Sequence, residues 1–265
     1  MARVIVVANQ KGGVGKTTTA VNVAAGLAAA ERRTLLIDGD PQGNASSGVG
    51  LPRDRSAPTS YDVVLDPSLA ETALVRCVQY TNLDVLPASP DLAAAEVELA
   101  AVPGREFRMR DAVKRLRSTY DYIIIDCPPS LGLITVNMLV AADSVLIPLQ
   151  CEYYALEGLS QLLNTIAAIQ QGTNPELIID GVLLTMFDSR LNLSKQVAED
   201  ARAHFGNLVF QAVVPRNIRL AEAPGFGKPI ISYDVASVGA QAYLGAVDEI
   251  ISRVEHGRGI ELAAV

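Results

Sequence analysis

The sequence predicts an α/β fold, a doubly wound and mostly parallel sheet with helices on both faces. Three observations carry that expectation. Seven apolar runs recur along the 265 residues with helix-like segments between them. Most of these runs are continuous in apolar character, as strands buried on both faces of a parallel sheet are. A glycine-rich turn joins the first run to the first helix-like stretch, the kind of strand-to-helix junction where such sheets bind ligands.

Taken in order, the first strand is expected over residues 4–8 and the first helix over 18–30. A second strand, 34–37, ends in Asp38-Gly39-Asp40-Pro41-Gln42-Gly43-Asn44, and the Pro/Ser-bearing stretch 51–60 is expected as a surface loop. Strand 83–86 and helix 105–118 precede strand 122–125, which runs into Asp126-Cys127-Pro128-Pro129-Ser130. Helix 134–141, strand 144–148, helix 155–171, strand 178–184, helix 194–205 and strand 208–213 follow. An amphipathic helix over about 240–254 closes the pattern. With no internal repeat and no low-complexity tract, one domain over 1–254 and a flexible tail over 255–265 are expected.

Bulk properties narrow the classes. Apolar residues make up 49% and charged residues 19%, which is ordinary for a globular chain, and with Trp absent the core must rest on Val, Ile, Leu and Ala. No stretch approaches the ~20 apolar residues of a membrane span. A first strand beginning near Arg3 leaves no expectation of a signal peptide or an N-terminal DNA-reading module. Cys77, Cys127 and Cys151 are odd in number and widely spaced, so buried free thiols are expected and a metal or disulfide role is not. The net charge of −7 argues mildly against a polyanionic partner. Residues 186–228 nevertheless hold six cations and four anions, leaving that segment +2.

The segment Lys11-Gly12-Gly13-Val14-Gly15-Lys16-Thr17-Thr18 carries the chemistry. Glycines let a phosphate sit against backbone N–H groups, and the following helix start adds its positive dipole end. Lys16 is placed to reach β/γ-phosphates and the Thr17 hydroxyl to ligate Mg²⁺. The usual leading glycine of the motif is Gln10 here, and a second lysine, Lys11, stands at the loop entrance. Strand-end carboxylates at Asp38, Asp40 and Asp126 are the acids that could serve Mg²⁺ or a water. Asp38 competes with both others for those roles.

These residues, with Gln150-Cys151-Glu152-Tyr153-Tyr154 and Pro215-Arg216-Asn217, resemble the ParA/Soj family of partitioning ATPases, P-loop NTPases of the deviant Walker A class that also includes MinD. The similarity runs from about residue 3 to 254. It implies an ATP- and Mg²⁺-dependent ATPase in which Lys11 reaches across a nucleotide-sandwich homodimer to the partner's phosphates. Gly12 would lie at the close-contact face, Asp40 would position the attacking water, and Asp126 would support Mg²⁺ through water, with Asp40 a second water-mediated ligand. Glu152 would meet ribose across the dimer, and Pro215, Arg216 and Asn217 would flank adenine; strand-end turns explain these positions equally well. No arginine finger stands in the motifs, so slow hydrolysis stimulated by a ParB-like partner is implied. The resemblance also implies non-specific double-stranded DNA binding by the ATP dimer through Arg190 and Arg219, with Lys195 and Lys228 nearby, and a cytoplasmic, nucleoid-associated protein. The alternative is a MinD-like membrane-cycling ATPase, but residues 253–265 hold two glycines, two glutamates and no aromatic, a poor membrane helix. A cluster-bearing reductase like the nitrogenase iron protein would need cysteines arranged to bridge a dimer, and no such pattern is present.

Overall fold

The computed structural model describes residues 1–52, 57–152 and 155–255. Eight strands form one sheet: β1 (Arg3–Val7), β2 (Thr34–Asp38), β3 (Val75–Arg76), β4 (Leu83–Leu86), β5 (Tyr122–Asp126), β6 (Ser144–Gln150), β7 (Ile178–Phe187) and β8 (Val209–Pro215). Their order is β3-β4-β2-β5-β1-β6-β7-β8. Every neighbouring pair is parallel except the antiparallel β3/β4 pair at the edge. The seven expected strands are all present. Only β3 escaped the sequence pattern, because two residues at an edge, one of them charged, leave no apolar run.

Helices α1 (Lys16–Ala29), α2 (Asn44–Gly48), α3 (Ser60–Leu65), α4 (Ala95–Glu98), α5 (Arg108–Leu116), α6 (Leu133–Ala141), α7 (Ala155–Gln171), α8 (Asn192–Phe205), α9 (Ile218–Glu222), α10 (Ile230–Tyr233) and α11 (Val238–Glu255) fill the connections. The six longer helices match the expected ones within about three residues at each end. The five helices of four to six residues were not anticipated, since they are too short to show a helical period. One of them alters the expected 51–60 loop. Thr59 and Asp62 form a capping box that starts α3 at Ser60, and 53–56 lie outside the described residues. Similarly, α11 continues through Glu255 into the segment expected as a tail, and 256–265 lie outside the described residues.

Strand side chains alternate between two apolar layers. Val4, Val6, Ile123 and Ile125 pack beneath α3, α5, α6, α7 and α8. Ile5, Val7, Tyr122 and Ile124 pack beneath α1, α2, α10 and α11. Both layers are fully buried, which is why the central strands read as unbroken apolar runs. Among the described residues no helix is long and apolar enough to cross a membrane. The carboxyl ends of β1, β5, β6 and β7 therefore meet at one rim, where the chain's unusual loops lie.

Candidate nucleotide site

The turn between β1 and α1 is built from backbone that only glycine adopts freely. Gly13 has φ +77° and Gly15, the residue capping α1, has φ +88°. Gly15 offers no side-chain cap and the first turn of α1 carries no acid. The helix start thus keeps its unpaired N–H groups and positive dipole end for an anion. The loop is braced by two side chains. Asn9 donates to the Pro148 carbonyl at 2.8 Å and accepts from the Lys11 N–H at 3.1 Å, while Thr185 donates to the Val14 carbonyl at 2.9 Å. Sequence reasoning missed both braces, ordinary polar residues, one just after β1 in the same connection and the other on β7.

The two lysines occupy different environments. Lys16 is 7% exposed, and its ammonium donates to the Lys11 carbonyl at 3.0 Å. Burial lowers its pKa, against the pull of Asp126, Cys127 and Asp40. Lys11 is 32% exposed at the rim and lies 3.7 Å from Glu152. A Cβ added at Gly12 or Gly13 would meet nothing within 4 Å, so neither glycine is required by packing inside this chain.

The three aspartates separate by their partners. Both oxygens of buried Asp38 are engaged: one accepts from the Asp40 N–H at 3.2 Å, the other from the Ser46 N–H and hydroxyl, both at 2.7 Å. Burial pushes its carboxyl up to about 6, against those bonds. Asp40 accepts from the Gln42 N–H at 2.9 Å. Asp126 is fully buried, and neither of its oxygens makes a well-formed hydrogen bond, with the Thr17 hydroxyl only loosely placed beside it. Burial and the charge of Asp38 drive its carboxyl well above the usual range, with the Thr17 hydroxyl pulling the other way. Gly39 lies against this site because a Cβ there would sit 2.7 Å from the Asp126 carbonyl oxygen.

An orphaned buried carboxylate beside a threonine hydroxyl fits Mg²⁺, a hard cation that takes oxygen ligands and keeps much of its water. Among the described residues no group of three or more His, Cys, Asp or Glu could hold a metal by itself. A magnesium ion here would depend on phosphate oxygens and water for most of its ligands.

Beside the loop lies a cavity of about 310 Å³ lined by Gly15, Thr18, Met186, Pro215, Asn217 and Tyr243 among others. Pro215, Arg216 and Asn217 are all in its wall, contiguous with the loop, and its lining is mainly apolar. Met186 adopts φ +50°, a left-handed conformation uncommon for a side chain of its size, where β7 turns into the pocket. The Asn217 side-chain oxygen caps α9 through the Leu220 N–H at 3.3 Å. Tyr243, on α11, shares a 3.1 Å hydrogen bond with Thr19 beneath the loop.

The basic candidates spread over the segments after β7 and β8, Arg190 and Lys228 outside any helix, Lys195 on α8 and Arg219 on α9. Arg190 is 86% exposed and forms two bonds to Asp188, at 2.9 and 2.7 Å. Arg219 pairs with Glu222 at 3.0 Å and Asp234 at 3.5 Å. Lys195 and Lys228 are exposed. Glu152 lies at the end of β6, where Arg216 approaches it at 3.3 Å; Tyr153 and Tyr154 of the same motif lie outside the described residues. Cys77, Cys127 and Cys151 are free and buried, as expected.

A family model described as an AAA domain matches residues 2–179. The chain is 58% identical over 253 residues to the chromosome partitioning protein ParA of Myxococcus xanthus, covering 96% of this chain and 89% of that one. It is 52% identical over 250 residues to the sporulation initiation inhibitor protein Soj of Bacillus subtilis, covering 94% and 98%. Its fold is similar to a Mycobacterium smegmatis structure named cobyrinic acid a,c-diamide synthase, with bound ADP and magnesium, at a TM-score of 0.85 and 38% identity over the whole of both chains. That name belongs to a different chemistry, but its identity is well below that of the partitioning relatives. On the P-loop NTPase fold, with a two-lysine loop and relatives of this similarity, the chain belongs to the ParA/Soj family of the ParA/MinD type.

Proposed function

We propose that this chain is an ATP-gated DNA-partitioning switch. ATP binding drives formation of a nucleotide-sandwich homodimer, and the dimer binds double-stranded DNA without sequence preference. Slow hydrolysis, stimulated by a ParB-like partner, resets it in a cytoplasmic, nucleoid-associated cycle. The observation that carries this reading is the contrast between the loop lysines. Lys16 is buried against its own loop, whereas Lys11 stands part-exposed at the rim, with a loose ion pair to Glu152 at 3.7 Å, within reach of a phosphate that its own subunit does not hold.

Lys16 and the loop N–H groups bind the phosphates, and the cavity beside them takes the base. Thr17 and Asp126 would hold Mg²⁺, which when bound offsets charge on the phosphate oxygens. Asp40 orients the attacking water. Asp38 is less suited to that task, because three donors already fill its oxygens. Lys11 adds a second cation where charge develops during phosphoryl transfer, and supplying it from the other subunit makes ATP binding and dimerisation one linked event. The open space around Gly12 suits that approach. Arg190, Arg219, Lys195 and Lys228 contact phosphates of the duplex, and pairing two subunits doubles their number.

The test is DNA binding without nucleotide, with ADP and with a slowly hydrolysed ATP analogue, across a salt series. Binding confined to the analogue state and falling steeply with salt is expected. Equal binding in every state, or none in any, would overturn the switch. Co-sedimentation with anionic liposomes in the analogue state would instead favour a membrane-cycling ATPase.

A further inference from the structure

We infer that Glu152 is a positioning residue for Lys11, an intramolecular counter-ion that holds the loop lysine in its own subunit until phosphate draws it away. This rests on the reading of Lys11 as the residue that crosses to a partner's nucleotide. Glu152 sits between two cations from different strand ends: Lys11, from the loop after β1, at 3.7 Å, and Arg216, after β8, at 3.3 Å. Its place is fixed from β6, since the Gln150 side chain donates to it at 2.6 Å and its own N–H donates to the Gln150 carbonyl at 2.8 Å. Gln150 is itself buried, so the carboxylate hangs from a rigid strand end.

The strength of the contact suits a holding role. Lys11, Glu152 and Arg216 are 32%, 47% and 62% exposed, and ion pairs of that exposure are weak and screened. A triphosphate carries several charges and would win Lys11 from one carboxylate readily. Glu152 therefore keeps Lys11 ordered near the loop without blocking it. It also prevents two uncompensated cations, Lys11 and Arg216, from crowding a site whose Lys16 is already buried. The notion that Glu152 serves ribose across a dimer concerns a later state; in the nucleotide-free chain its charged partners are Lys11 and Arg216.

The experiment compares wild type, Glu152→Gln, Lys11→Ala, the double variant and Arg216→Gln, all as full chains. Glutamine keeps the shape of Glu152 and can still accept from Gln150. The first readout is the rate at which Lys11 is acylated by an amine-reactive ester in the nucleotide-free protein, followed by mass spectrometry. Glu152→Gln should raise it about two- to fivefold, the scale of an exposed pair, and Arg216→Gln should lower it because Glu152 then serves Lys11 alone. The second readout is the concentration of a slowly hydrolysed ATP analogue that half-dimerises the protein, read by sedimentation. Glu152→Gln should reduce it by a similar factor, and the double variant should match Lys11→Ala.

Unchanged acylation in Glu152→Gln would overturn the inference. So would a higher half-point in that variant, or the same shift on the Lys11→Ala background. If wild type does not dimerise with the analogue while Lys11 acylation still responds to Glu152→Gln, the proposed function fails and the positioning contact stands.

Discussion

Asp38 holds its proton to about pH 6 because the fold removes its carboxyl from water, and three donated hydrogen bonds do not fully compensate. The sign of the consequence is fixed by linkage. Between its ordinary 3.8 and about 6 the folded chain binds a proton that the unfolded chain has released, so stability falls as pH rises through that window. The full span is worth about 3 kcal/mol, of which about 1–2 kcal/mol is lost between pH 5 and pH 8. Asp38→Asn should flatten that part of the profile in nucleotide-free, magnesium-free protein. Urea midpoints at the two pH values check it, and equal slopes in variant and wild type would show that Asp38 ionises normally. Asp40 calls for a different experiment. Asp40→Ala should bind the ATP analogue as wild type does, lose about 10²–10⁴-fold of phosphate release, and prolong the dimer. Normal phosphate release in that variant would remove Asp40 from the chemistry. At this scale the sequence was legible in part. Lys11, Lys16, Asp40 and Asp126 stood out because each occupies a motif position. Nothing in the sequence separated Asp38 from its neighbours, since the separation comes from Ser46, eight residues on and in a helix too short to anticipate.

The element that most governs the loop is α1, and its position depends on α11. α1 is buried along nearly its whole length, between the sheet on one side and α2, α10 and α11 on the other. The crossing with α11 is close: a Cβ on Gly26 would lie 2.6 Å from a Val247 methyl. Gly26→Ala gains roughly 1 kcal/mol of helix propensity. Against that stands overpacking, typically about 1–3 kcal/mol in a filled core. Val247 is short, β-branched and 2% exposed, so it cannot swing aside. Overpacking should win, lowering the thermal midpoint. Gly26→Ala with Val247→Ala should recover most of the loss, because the new methyl fills the space vacated; a double variant worse than either single one would refute this packing account. The longer helices and the seven main strands were legible because each buries a whole face over several residues. β3 and the five short helices were not, since fixing them depends on contacts distant in sequence, such as the 2.7 Å bond from the Ile230 N–H, at the start of α10, to the Asn22 side-chain oxygen.

Across the whole molecule, a chain of net charge −7 has to bind a polyanion through a few local cations if the proposed switch is right. One strongly exposed candidate is not free. Arg190 is held by Asp188 in a two-pronged pair, and the same contacts bring the Asp188 carboxyl down to about 2. Aspartate is therefore ionised at every working pH and competes with a DNA phosphate for one guanidinium. Two substitutions of opposite sign follow. Arg190→Glu should abolish DNA binding by the ATP-analogue dimer while leaving dimerisation intact. Asp188→Asn should tighten DNA binding, because Arg190 no longer has to leave a carboxylate. The salt dependence gives the decisive quantity. If each Arg190 of a dimer neutralises one phosphate, Arg190→Ala should reduce the slope of log affinity against log salt by about 1.8. Asp188→Asn should leave that slope near wild type and raise the whole line. A slope unmoved by Arg190→Ala, or DNA binding weakened by Asp188→Asn, would mean that the Asp188–Arg190 pair only braces the loop after β7, and that the duplex is held elsewhere on the dimer.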